Sequence, residues 1–169
     1  MSGKPDEQLE RIVMGVDPGS VKAGIAVIRS VAGRLEVVSS RTLRFPGTER
    51  HEDRLVGLHD AVAEAVETYS PIACGIETPV YGVNPSSMLK LGRAQAAAIL
   101  AARSRDVPIF EFMPKAVKKA ITGNGNATKE QVAYMLRSIL ATPELPDSND
   151  ETDAIALAVS TLSHLRTTR

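Results

Sequence analysis

Apolar runs recur along the chain, and two of them stop on a carboxylate. Ile12-Val13-Met14-Gly15-Val16 ends at Asp17, and Pro18-Gly19-Ser20 cannot continue a strand. The pattern then predicts a second strand over residues 23–30 and a third over 34–43, with Gly33 in the hairpin turn, an antiparallel meander. Helical spacing of Leu55, Leu58, Val62, Ala65 and Val66 predicts an amphipathic helix over residues 50–69, stopped by Ser70-Pro71. Residues 72–77 form another buried strand, ending on Glu77. After a loop, Ser86 or Ser87 is expected to cap a helix over 88–104, and 108–112 reads as a short strand. A basic helix over 114–121 ends at Gly123-Asn124-Gly125-Asn126. Thr128-Lys129-Glu130-Gln131 fits a capping box and opens a helix to about residue 140. A linker over 141–147 follows, and then Ser148-Asn149-Asp150-Glu151, a second capping box that opens the closing helix over 150–165.

The resulting order, β-β-β-α-β-α-β-α-α-α, implies an α/β fold: a five-stranded mixed sheet, meander plus parallel strands, flanked by helices. Residues 1–10 read as a flexible leader and 11–166 as a single domain. Strands 12–17 and 72–77 are joined through a helix, so they can lie parallel and adjacent. Asp17 and Glu77 would then stand side by side at C-terminal strand ends, on strands ~4.8 Å apart, where open α/β sheets place ligands. On the closing helix, Asp150 and Asp153 share one face. The apolar run 154–159 behind them implies packing on the sheet, which would bring the acidic first turn to the same edge.

Four carboxylates in one cleft repel, and they must take up protons or cations. An oxygen-only donor set without a Cys or His cluster suits Mg²⁺ or Mn²⁺. Two such ions about 4 Å apart support phosphodiester cleavage. Each acid also has a plainer role: Asp17 as a turn former, Glu77 as a paired buried acid, Asp150 and Asp153 as complements to the helix dipole.

With three Phe, three Tyr and no Trp in 169 residues, the core must be aliphatic and alanine-rich. No apolar run reaches the ~20 residues of a membrane span, and residues 1–11 are too polar for a signal peptide. The single Cys74 reads as a small core residue in a reducing, cytoplasmic setting. Net charge is zero, which excludes a uniformly basic DNA-coating protein. Its distribution is uneven. Residues 85–140 carry nine Lys and Arg against three acids, and residues 49–77 carry seven acids against two bases. One face could therefore attract phosphate, or the charges could simply be a solvated helix surface.

Taken together, these residues resemble the RuvC-type Holliday junction resolvases of the ribonuclease H-like and retroviral-integrase superfamily. The resemblance is carried by Gly15-Val16-Asp17-Pro18-Gly19-Ser20 with Ala23-Gly24-Ile25-Ala26-Val27-Ile28, and by Ile76-Glu77, Asn84 and Leu89-Lys90-Leu91-Gly92-Arg93-Ala94. It continues through Val107-Pro108-Ile109-Phe110-Glu111-Phe112, Val117-Lys118-Lys119, Gly123-Asn124-Gly125 and Asp150-Glu151-Thr152-Asp153-Ala154-Ile155-Ala156, nearly the whole chain. It implies a catalytic and metal-binding tetrad at Asp17, Glu77, Asp150 and Asp153, with two Mg²⁺ or Mn²⁺ ions. In some family members a histidine stands at the position of Asp150.

The resemblance further implies lysines near the cleavage point at Lys118 and Lys129, with Lys119 as a neighbour able to share that role. Asn84, Lys90, Arg93 and Lys115 join Lys118, Lys119 and Lys129 as expected DNA contacts. The family's wedge aromatic after the second acid falls on Val80 here, with Tyr81 one residue later as its expected replacement. A homodimer nicking two strands of a four-way junction symmetrically, to leave 5′-phosphate and 3′-hydroxyl ends, is implied as well. So is work beside a RuvA–RuvB branch-migration helicase complex in recombination and repair. The helix from Met88, with Gly92, Ala94, Ala96, Ala97 and Ala98, is the expected dimer element, although those small residues could equally pack on the chain's own sheet. Two other classes compete: a non-catalytic junction-binding protein on the same fold, and an actin-like ATP-binding module, which needs a second domain that this length does not hold.

Overall fold

The computed structural model describes residues 9–167 apart from Tyr81, Val83 and Pro143. Three strands form the meander: β1 (Arg11–Asp17), β2 (Lys22–Val31) and β3 (Arg34–Arg44). Helix α1 (His51–Tyr69) crosses to β4 (Cys74–Glu77), and α2 (Pro85–Arg103) crosses to β5 (Ile109–Phe112). Helices α3 (Pro114–Thr122), α4 (Lys129–Ile139) and α5 (Asn149–Thr167) complete the chain. The sheet order is β3-β2-β1-β4-β5, with β1 antiparallel to β2 and parallel to β4. The element order and the β1–β4 adjacency are those the apolar runs imply.

Strand alternation divides the core into two layers. Met14, Val16, Ile25, Val27, Cys74 and Ile76 face α1 and α2, whose buried side includes Leu58, Val62, Ala94 and Ala98. Val13, Ala26 and Ile28 face α5 and the smaller helices α3 and α4. Cys74 is fully buried, and burial pushes its thiol well above the usual range, so it is a core residue.

The odd positions of β1 and the even positions of β2 therefore look toward α5, and two of them are glycines with a purpose. A Cβ on Gly15 would lie 2.1 Å from the Ala154 carbonyl oxygen, and one on Gly24 would lie 1.9 Å from that of Asp150. Gly75 on β4 has the same relation to Thr161 and Leu157. Helix α5 thus crosses β2, β1 and β4 along a track that has no side chains. It sits closer than any larger residue would permit.

Two expected caps are replaced. Asn84, two residues before Ser86 and three before Ser87, caps α2: its side chain accepts from Ser86 N at 3.0 Å and Ser87 N at 3.3 Å, and Pro85 opens the helix without an orphaned N–H. At α5, Glu151 does not fold back on its own helix. It accepts from Ser40 Oγ of β3 at 2.7 Å. The Thr128–Gln131 capping box of α4 forms as the sequence implies, with both reciprocal bonds. Strand β4 starts at Cys74, two residues later than the apolar run, and Ile72 is half exposed.

Candidate active site

Each acid reaches the site by a short physical route. In β1, residues 13, 15 and 17 share the α5 face, so Asp17 follows Gly15 on that side. In β4, Gly75 faces α5, and Glu77, two residues on, does too. The β1–β4 register pairs Val16 with Ile76, which brings Asp17 and Glu77 level at their strand ends. On the other side of β1, Asp17 is paired with Gly24, and Gly24 with Thr42 of β3. Asp150, whose carbonyl lies against Gly24, is thereby brought down beside Asp17, and Asp153 follows one turn on. Two further side chains hold the strand ends. Arg54 of α1 donates to the carbonyl of Ser20, just beyond Asp17, and to those of Gly47 and Glu49. Gln95 of α2 donates to the Glu77 carbonyl at 3.3 Å and to Glu111 Oε2 at 3.0 Å.

The electrostatics show that the four acids share one environment. Burial, and then repulsion from Glu77, Asp153 and Asp150, pushes the Asp17 carboxyl up to about 7, with Lys129 pulling the other way. Glu77 is raised by burial and by Asp153, again against Lys129. Asp153 is raised chiefly by burial, with Asp150 adding to the rise and Lys129 and Lys118 opposing it. Lys129 acts on three of the acids, whereas Lys118 acts on Asp153 alone. Proton uptake by Asp17 near neutrality is the response of a carboxylate whose neighbours carry its own sign and whose water has been removed.

A cleft of about 560 Å³ opens beside the acids, between α3, α4 and α5. Glu77, Asp153, Lys118 and Lys129 line it; Asp17 and Asp150 lie outside its lining. Arg137 and Asn149 also face it, and no local pattern marks either as a cleft residue. The remaining expected contacts lie elsewhere. Lys115 and Lys119 are exposed on α3, Lys119 outside the cleft lining, and Lys90 and Arg93 are exposed on α2. The side chain of Asn84 is engaged in its cap, and Tyr81 falls outside the described residues.

The donor set is oxygen-only, as hard divalent ions require. Among the described residues no group of three His, Cys, Asp or Glu side chains is gathered closely enough to hold an ion unaided. A divalent ion here would take one or two of the carboxylates and complete its shell with water and phosphate oxygens.

The family model of the crossover junction endodeoxyribonuclease RuvC matches residues 13–161. This chain belongs to the RuvC family of crossover junction endodeoxyribonucleases. A RuvC from Salinibacter ruber is 45% identical over 148 residues, covering 88% of this chain and 83% of that one. The Thermus thermophilus RuvC structure superposes with a TM-score of 0.85 at 29% identity, covering 93% of this chain and 96% of that one. The same RuvC in complex with a Holliday junction substrate gives a TM-score of 0.88, covering 94% of this chain and 96% of that one. The fold is ribonuclease H-like, as the sequence implies. No helix among the described residues is long and apolar enough to cross a membrane.

Proposed function

We propose that this chain resolves four-way DNA junctions by divalent-ion-dependent hydrolysis, with Asp17, Glu77, Asp150 and Asp153 as the ion ligands. The observation that carries this is the gathering of four acids from β1, β4 and α5 at one point, where burial first and then their mutual repulsion raise the Asp17 carboxyl to about 7, in a member of this nuclease family. Two Mg²⁺ or Mn²⁺ ions would relieve that repulsion, lower the pKa of an attacking water and stabilise the departing 3′ oxygen, leaving 5′-phosphate and 3′-hydroxyl ends. The chain's own part is positional. Asp17 is central, because it feels all three other acids. Lys129 offsets the acids' charge and is placed to meet the added negative charge of the scissile phosphate, with Lys118 beside it on the cleft wall. Lys90, Arg93, Lys115 and Lys119 supply sequence-independent phosphate attraction that weakens as salt rises. Tyr81 stacks on a base near the crossover, and Asn84 caps the start of α2.

Paired nicks need two sites, and hence a homodimer. Helix α2 has the surface for it. Ala94 and Ala98 are consumed in the chain's own core, while Leu89, Ala96 and Leu100 remain exposed at one helical spacing, Leu89 by 55% and Leu100 by 63%. Action in the cytoplasm beside a RuvA–RuvB branch-migration complex completes the reading.

Cleavage of a synthetic four-way junction, with each ion in turn and linear duplex as control, tests it. Paired, symmetric nicks in Mg²⁺ or Mn²⁺ and none without an ion are expected. Junction retention without nicking in either ion would instead establish a binding protein.

A further inference from the structure

Glu151 stands between two of the acids in sequence, yet its carboxylate turns away from them. Ser40 Oγ of β3 donates to Glu151 Oε2 at 2.7 Å, and Thr42 Oγ1 lies 3.3 Å from Oε1. Thr42 Oγ1 is also 2.5 Å from Ser148 Oγ, and Ser148 Oγ is 3.5 Å from Asp150 Oδ2. All five groups are part-buried. We infer that Ser40, Thr42, Ser148 and Glu151 form a positioning assembly that fixes the Asp150 carboxylate for ion binding; this rests on the ion-binding reading above.

The sheet register explains why the assembly sits here. Thr42, Gly24 and Asp17 are cross-strand neighbours in one row, all on the α5 side. Gly24 leaves the gap in that row, and Asp150 descends into it between Thr42 and Asp17. Nothing on β2 can steer the Asp150 side chain, because Gly24 has none. The steering has to come from β3, the next strand out, and β3 supplies hydroxyls.

Proton counting leaves two directions for the chain of bonds, and the shorter contact selects between them. Each hydroxyl has one proton to donate. Ser40 alone supplies one oxygen of Glu151. If Thr42 donates to Glu151, Ser148 must donate to Thr42, and Asp150 receives nothing. If Thr42 donates to Ser148, the shorter contact, Ser148 is free to donate to Asp150 Oδ2. The second arrangement gives the Asp150 carboxylate a donor and ties its Oδ2 to Ser148, leaving Oδ1 outside the assembly. Glu151 anchors the whole by holding β3 to the first turn of α5. Partners of ligating carboxylates typically govern about 10–100-fold of metal affinity.

The test is Mn²⁺ binding to the free protein, read from the electron paramagnetic resonance of unbound aqueous Mn²⁺, with the melting temperature recorded in parallel. Thr42→Val keeps the shape and removes the hydroxyl; Ser148→Ala breaks the same link from the helix side. Each is expected to weaken Mn²⁺ binding about tenfold, and Thr42→Ser to restore it. Wild-type Mn²⁺ affinity in both Thr42→Val and Ser148→Ala overturns the proposal, and a lowered melting temperature alongside it would mean only that β3 is tied to α5. Asp17→Asn is the reference. If wild type binds Mn²⁺ no better than Asp17→Asn, the ion-binding reading has failed, and the positioning role falls with it.

Discussion

The two strand-borne acids and the two helix-borne acids are held by different physics. Asp17 and Glu77 are set by backbone ladders: the β1–β4 register fixes their separation, and alternation fixes their face. Asp150 and Asp153 are set by packing. Their helix is placed by the glycines beneath it and by hydroxyl contacts from β3. A ladder tolerates most side-chain changes, whereas a close-packed crossing tolerates few. The strand pair should therefore respond to substitutions of its charge, and the helix pair to substitutions of its support as well.

The largest expected effect is on the strand side. Asp17→Asn should reduce cleavage about a thousandfold or more, while junction binding measured by gel shift without metal stays level or tightens, because one repelling charge is gone. Cleavage at the wild-type rate would remove Asp17 from the mechanism. Next comes the cleft wall. Lys129→Ala should cost about a hundredfold in cleavage rate, and Lys118→Ala clearly less, since Lys129 acts on three acids and Lys118 on one. Equal losses in a single-turnover assay would mean that both touch the phosphate in the same way.

The helix side is broken by a methyl group. Gly24→Ala places a Cβ 1.9 Å from the Asp150 carbonyl oxygen, so α5 must lift, at a cost of about 1–3 kcal/mol in denaturant unfolding together with a loss of cleavage. Gly92→Ala on α2 meets nothing within 4 Å, and it should be neutral or stabilising by up to about 1 kcal/mol. If the two behave alike, the glycine track does not set the helix height.

Stability without metal sharpens the comparison through pH. The folded Asp17 carboxyl titrates at about 7, against 3.8 for the ordinary side chain. Between those values the unfolded chain has released a proton that the folded chain still holds, so metal-free stability falls as pH rises from about 4 to about 7. Asp17→Asn lacks this loss. Without metal it should melt about 10 °C above wild type at pH 8, since a rise of that size is worth about 4 kcal/mol at ~2–4 °C per kcal/mol for a domain of this size, and the difference should shrink toward pH 4. Added Mg²⁺ should raise the melting temperature of wild type at pH 8 more than that of the variant.

Much of this was legible in the residues. Apolar runs ending on Asp17 and Glu77 announced strands that deliver acids, and the β-β-β-α-β order made them neighbours. The capping box at Thr128 and Gln131 was readable because both partners lie within one turn. Three features were not. Asn84 rather than Ser86 or Ser87 caps α2, a choice that depends on where the preceding loop turns. Glu151 looked like a capping-box partner, because its true donor, Ser40, is over a hundred residues away. Arg137 and Asn149 face the cleft only because α4 and α5 bring them there.

By itself the sequence determined the elements, their order, the family and which acids stand at strand ends, since those follow from periodicity, turn chemistry and local motifs. Tertiary structure alone decided how close α5 lies to the sheet, which of its acids face the cup and which one turns to β3. Those outcomes depend on backbone-to-backbone approach over Gly15, Gly24 and Gly75 and on partners far apart in the chain, and no local pattern encodes either.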